Sequence, residues 1–86
     1  MVIRYTKKAL KFLSKLDSKS VARIKKAIAG LTLVPPEGDI KLMQGYTDGR
    51  LRLRVGGWRI LYRYDAEGAL EVLFIIEIGN RGDIYK

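Results

Sequence analysis

The stretch from Arg50 to Tyr64, RLRLRVGGWRILYRY, constrains the fold more than any other part of the chain. Arg50, Arg52 and Arg54 alternate with Leu51, Leu53 and Val55. Successive side chains of a β-strand point to opposite faces, so such a strand is aliphatic on one side and carries three guanidinium groups on the other. Gly56-Gly57 reads as a two-residue hairpin turn, where glycine tolerates the positive φ that these turns require. The run from Trp58 to Tyr64 is rich in aromatic and branched residues, as strands are, and Arg59 and Arg63 fall on one of its parities. A hairpin over these residues brings up to five arginines to one side of two neighbouring strands. A half-buried strand with a solvated arginine face shows the same alternation.

The rest of the chain must cover the aliphatic side. Val2 to Tyr5 predicts a short strand, and Thr6 is placed to cap a helix through its hydroxyl. Ala9, Leu10, Leu13 and Leu16 then recur at helical spacing, with Lys7, Lys8, Lys11 and Lys15 mostly off that stripe. Asp17 or Ser18 ends this helix and caps a second, from about Ser18 to Leu33. Its stripe is Val21, Ile24, Ile28 and Leu31 with Ala27 beside it, and Lys19, Arg23, Lys25 and Lys26 face outward. Gly30 weakens the last turn by about 1 kcal/mol, and Pro35-Pro36 stops the helix. Two amphipathic helices joined tightly form an α-hairpin that needs a sheet to pack on.

Residues 37–49 contain Gly38, Gly45 and Gly49 and read as a loop, tacked to the core by Ile40, Leu42, Met43 and Tyr46. Beyond the arginine hairpin, Asp65 to Gly68 is a second turn signal. Ala69 to Ile78 follows as a strand whose apolar centre, Val72 to Ile76, suits a central position. The tail from Gly79 reads as a turn leading into a short final helix. The expected order is β-α-α-β-β-β: one α+β domain over residues 1–86, with a mainly antiparallel sheet packed against the N-terminal α-hairpin.

Composition narrows the chemistry. The 86 residues carry a formal net charge of +8, which favours polyanions or an acidic partner. There is no cysteine and no histidine, so disulfides, thiolate metal sites and Cys- or His-dependent nucleophilic catalysis are excluded. The carboxylates are scattered, without the convergent spacing that Mg²⁺ requires, and no cofactor is expected. Gly56-Gly57 lies between strands, with no helix N-terminus to hold a phosphate. No apolar run reaches the roughly 18–20 residues that span a bilayer, and MVIRYTKKALKFL does not read as a secretory signal. A cytoplasmic location with no membrane partner is the simplest expectation. What remains is phosphate chemistry run by cations. Guanidinium forks pair with phosphate oxygens, and several around one phosphate stabilise the charge that develops during cleavage. RNA supplies its own nucleophile, the 2′-hydroxyl. Arginine is a poor proton-transfer group near neutral pH, which leaves Tyr62, Tyr64 and Tyr85, a lysine or a carboxylate for that task. Trp58 and the tyrosines are candidates to stack on bases. Core packing is the competing role, favoured for Tyr62 and Phe74.

The segments GDIKLMQGYTDGRLRLRVGGWRILYRYD, from Gly38 to Asp65, and EIGNRGDIYK, from Glu77 to Lys86, carry a resemblance to the RelE/ParE superfamily of bacterial type II toxins, the RelE branch in particular. The likeness extends over nearly the whole chain. It implies a metal-independent endoribonuclease, an mRNA interferase that cleaves messenger RNA in the ribosomal A site and so inhibits translation. By motif, the catalytic set is Arg50, Arg52, Arg59, Arg81 and Tyr85, with Arg54 as a further basic position; the candidate RNA-binding residues are Arg54, Trp58, Arg63, Lys25 and Lys26. Some relatives carry lysines where this chain has Arg50 and Arg52, and many have a histidine where it has Asn80. Both differences weaken proton transfer and preserve the grip on phosphate, so slow cleavage or reliance on ribosomal groups is expected. The resemblance also implies an acidic, RelB-like antitoxin that wraps the toxin, and contact with promoter DNA only through that complex. Two other readings stand beside it. One is a ParE-like toxin that poisons DNA gyrase without cutting RNA. The other is a ribosome- or RNA-binding module without chemistry.

Overall fold

The computed structural model describes residues 1–80. The elements are β1 (Val2–Tyr5), α1 (Lys7–Ser14), α2 (Ser18–Ala29), a 3₁₀ turn (Gly30–Thr32), β2 (Asp39–Leu42), β3 (Leu51–Val55), β4 (Trp58–Glu67) and β5 (Leu70–Asn80). The five strands form one sheet in the order β1-β5-β4-β3-β2. Only the β1–β5 pair is parallel. The fold is therefore α+β, as the residue pattern predicts.

The helix starts are set by their caps. Thr6 Oγ1 accepts a hydrogen bond from Ala9 N at 3.1 Å, and an Asp17 carboxylate oxygen accepts one from Ser20 N at 3.3 Å, each satisfying a first-turn donor. Thr6 also ties the helix layer to the sheet. Its hydroxyl donates to Ile76 O at 2.6 Å, and its backbone N–H donates to Ile75 O at 3.1 Å. The anchor point is a β-bulge. Leu61 pairs with Glu77 while Tyr62 pairs with Ile75, so Ile76 is the extra residue. The bulge shifts the parity of β5, and Leu73, Ile75 and Ile78 all reach the core.

Both helices pack on one face of the sheet. Ala9, Leu13, Ile24, Ile28 and Leu31 meet Leu53, Val55, Ile60, Tyr62, Leu73, Ile75 and Ile78 in one buried cluster. The opposite face carries no helix among the described residues.

Several expectations need correction. Residues 39–42 form an edge strand rather than loop. Ile40 packs against the core, and the backbone pairs Asp39 with Arg54 and Lys41 with Arg52. Only four residues alternate there, between two glycines, which is too short a run for the pattern to stand out. Leu10 is 51% exposed; Phe12 packs on the core instead. The helical part of α2 stops at Ala29, where the chain tightens into the 3₁₀ turn that buries Leu31. The last turn is Gly68-Ala69, with φ of +63° at Gly68, so Asp65–Glu67 continue β4 instead of turning. The expected final helix lies outside the described residues.

Candidate active site and nucleic-acid interface

The arginine face follows from strand parity. Leu53, Val55, Ile60 and Tyr62 point to the helices, so Arg52, Arg54, Arg59, Leu61 and Arg63 point away from them. The turn between the strands is formed by Gly56 and Gly57, with φ of +57° at Gly56. It sets Arg54 directly opposite Arg59 and Arg52 opposite Leu61. Leu61 is buried although it stands outside the helix-side core cluster. It forms an apolar floor in the middle of the charged face.

The five guanidinium groups differ in their partners. Arg50 is bound to Asp48 at 3.0 Å and lies over the Tyr46 ring, 4.3 Å from its centroid. The same Asp48 oxygen is 4.0 Å from Arg63 Nε. Arg63 also bonds Asp65 at 2.8 Å and sits 5.1 Å from the centre of the Phe74 ring. Phe74 thus belongs to the arginine face and not to the core. Arg52 meets Asp39 at 2.9 Å. The hydrogen bond from Arg50 holds the Asp48 carboxyl below the usual carboxylate range, and the same bond raises Arg50 further.

Arg59 is arranged otherwise. It is 4% exposed, and its Nη1 donates to two backbone carbonyls, Trp58 O at 3.2 Å and Gly56 O at 3.4 Å. No carboxylate among the described residues pairs with it. Nearby, Arg52 Nε is buried without a hydrogen-bond partner among the described residues. Arg52 and Arg59 line a concavity of about 470 Å³, closed by Lys41, Leu42, Met43 and Gln44. Among the described residues, this sets a buried guanidinium bonded to neutral carbonyls beside an unpaired N–H donor, an arrangement whose chemistry suits an anion.

Not every expected residue joins this group. Trp58 shares its parity with Ile60 and packs on the core, with the Arg23 guanidinium 5.7 Å from the centre of its ring. Tyr62 is fully buried in the core, and burial pushes its phenol far up. Tyr64 donates its hydroxyl proton to Leu31 O at 2.8 Å. Neither tyrosine reaches the arginine face, so both are removed as proton-transfer candidates. Lys25 and Lys26 are exposed on α2. Lys26 lines a second groove of about 430 Å³ with Arg23 and Arg54, over a floor that includes Leu53 and Val55. Arg54, in register with Arg59, lines this second groove. Arg81 and Tyr85 lie outside the described residues. Sequence reasoning missed Lys41, Asp39 and Asp48. The first two come from a strand read as loop, and Asp48 reaches the site only through its turn beside Arg50.

A sequence profile described as "ParE toxin of type II toxin-antitoxin system, parDE" matches residues 3–85. The chain belongs to this family. It is a RelE/ParE-superfamily toxin of a type II toxin–antitoxin system. Among solved structures, the isolated RelE toxin of E. coli is 28% identical, covers 98% of this chain and 89% of its own, and superposes with a TM-score of 0.67. The RelBE2 toxin–antitoxin complex of Mycobacterium tuberculosis matches at 26% identity over 93% of this chain and 96% of that chain, TM-score 0.71. A YoeB/ParE toxin from Agrobacterium tumefaciens reaches a TM-score of 0.76 over 94% of this chain and 99% of that one. Its 21% identity makes it evidence for the shared fold alone. No significant match was found among curated proteins.

Proposed function

We propose that this toxin of the RelE/ParE superfamily is an endoribonuclease that cuts messenger RNA in the ribosomal A site and so arrests translation. The observation that carries this reading is Arg59, a buried guanidinium with no carboxylate partner among the described residues, beside Arg52 in an open concavity. Two guanidinium forks around one phosphate stabilise the additional negative charge of the transition state. The 2′-hydroxyl of the preceding nucleotide attacks in line, which requires neither a metal nor a protein nucleophile. Arg50 and Arg63 extend the charge along the strand, and Arg54 leads it toward the groove with Arg23 and Lys26. In this reading Arg81 adds a further cation, and Tyr85 assists proton transfer.

A cognate antitoxin is part of the same proposal. The net charge of +8 suits an acidic partner, and solved relatives include toxin–antitoxin complexes. Contact with promoter DNA is assigned to that complex, and the location to the cytoplasm. Among the described residues, no helix is long and apolar enough to cross a membrane.

The second reading, a ParE-like poison of DNA gyrase, is favoured by the name of the matching family. Induced expression separates the two. Loss of amino-acid incorporation within minutes, without a DNA-damage response, supports the ribosome. A damage response with translation initially intact supports gyrase and removes the nuclease assignment.

A further inference from the structure

The arginine face grips phosphate but offers little to protonate a leaving group. Cleavage forms the bond from the 2′-oxygen to phosphorus and breaks the bond from phosphorus to the 5′-oxygen. The 2′-hydroxyl proton passes to hydroxide or water, the transfer that Tyr85 assists in the reading above, and the departing 5′-oxygen must receive a proton. Guanidinium holds its proton too tightly to be a good donor for this step. Tyr62 and Tyr64 are held on the far face.

Lys41 occupies the position that this chemistry lacks. It sits on the edge strand β2, in register with Arg52, with the two strands about 4.8 Å apart. It faces the same side and lines the same concavity as Arg52 and Arg59. Gln44 and the apolar residues Leu42 and Met43 complete the described lining, so Lys41 is the one amine among the described lining side chains. The charged groups around it are largely committed elsewhere. Asp39, on its own strand, holds Arg52, Arg59 on β4 is bonded to carbonyls, and Glu77 on β5 is bound by Lys8 at 2.8 Å. Lys41 itself makes no ion pair among the described residues. Its side chain offers three N–H donors to a leaving oxygen.

Resting on the nuclease reading above, we infer that Lys41 is the general acid that protonates the 5′-oxygen as it leaves. It becomes a neutral amine in that step and recovers its proton from water. The products are a 2′,3′-cyclic phosphate and a 5′-hydroxyl end.

The test uses full-length toxin, programmed ribosomes and two synthetic messengers. One is ordinary RNA; the other carries sulfur in place of the bridging 5′-oxygen at the scissile position. A thiolate leaves without protonation, so the sulfur substrate needs no acid. Lys41→Ala and Lys41→Arg are expected to slow single-turnover cleavage of the oxygen substrate by about 100-fold or more. Both should cut the sulfur substrate within about threefold of wild type, a sparing expected only where protonation of the leaving group was the lost function. An equal slowing on both substrates makes Lys41 a binding or positioning residue and overturns the inference. So does undiminished cleavage of the oxygen substrate. Failure of the wild-type toxin to cut either messenger rejects the nuclease reading itself.

Discussion

Gly38 is the residue that brings β2 beside the arginines, and its replacement has a calculable effect. Its φ is +138°, and a Cβ built there would lie 2.6 Å from Leu53 Cδ1. Gly38→Ala therefore faces two penalties. Holding an alanine at that φ costs about 1–3 kcal/mol. Leu53 is 1% exposed, so moving its methyl out of the way strains a packed core by about 1–3 kcal/mol more. The sum, about 2–6 kcal/mol, is a large fraction of what holds a small domain together, and at ~4–8 °C per kcal/mol it lowers Tm by about 10 °C or more. The two penalties separate in a double-mutant cycle. Leu53→Val removes Cδ1 at a cost of about 1 kcal/mol, and in that background Gly38→Ala should cost only its backbone part. Urea denaturation of the four proteins should give a coupling of about 1–3 kcal/mol. Strict additivity, or a Tm unchanged by Gly38→Ala, would refute the close approach of Gly38 to Leu53 and the path of the chain into β2.

Three further perturbations have defined outcomes. Thr6→Val keeps the side-chain shape but loses both the helix cap and the bond to Ile76 O; it should destabilise by about 1–2 kcal/mol in urea denaturation. Asp39→Asn breaks an ion pair whose carboxylate is largely exposed, so stability should change by less than about 1 kcal/mol. Freeing Arg52 should tighten single-stranded RNA binding at low salt and steepen the logarithmic salt slope by up to about 0.7, read by fluorescence anisotropy. The Asp48 carboxyl is held below its usual range by the Arg50 hydrogen bond. Its stabilising effect is fully present above the unfolded aspartate value of about 3.9. It is lost as the pH falls through the lower native value. Wild type should exceed Asp48→Asn in stability above about pH 5, and the two denaturation curves should converge toward pH 2–3.

Local rules made most of this architecture legible. Strict alternation from Arg50 to Val55 specifies both the hairpin and the face on which the arginines emerge. Thr6 and Asp17 mark helix starts because their side chains satisfy orphan donors wherever they precede a helix. What escaped depends on distant partners. Leu10 fits the apolar stripe of α1 but is left uncovered, because the sheet reaches only the side bearing Ala9 and Leu13. Phe74 lies in an apolar run, yet the parity of β5 places it under Arg63. The bulge at Ile76 that resets this parity has no local signal; it is fixed by Thr6, seventy residues away. The site divides in the same way. The five arginines of the hairpin were visible as a set, whereas the distinction between Arg59, bonded to carbonyls, and Arg50, Arg52 and Arg63, neutralised by aspartates, arises only from packing. Lys41 was hidden because a four-residue edge strand between glycines resembles a loop.

Primer extension on messenger RNA, after incubation with programmed ribosomes and purified toxin, reads out the proposed cleavage itself. Wild type should generate new 5′ ends within the A-site codon. Arg59→Ala, with its melting temperature measured in parallel to establish folding, should generate none. Translation halted by wild type without new ends, or ends produced equally well by a folded Arg59→Ala protein, would contradict the assignment of this guanidinium to a scissile phosphate.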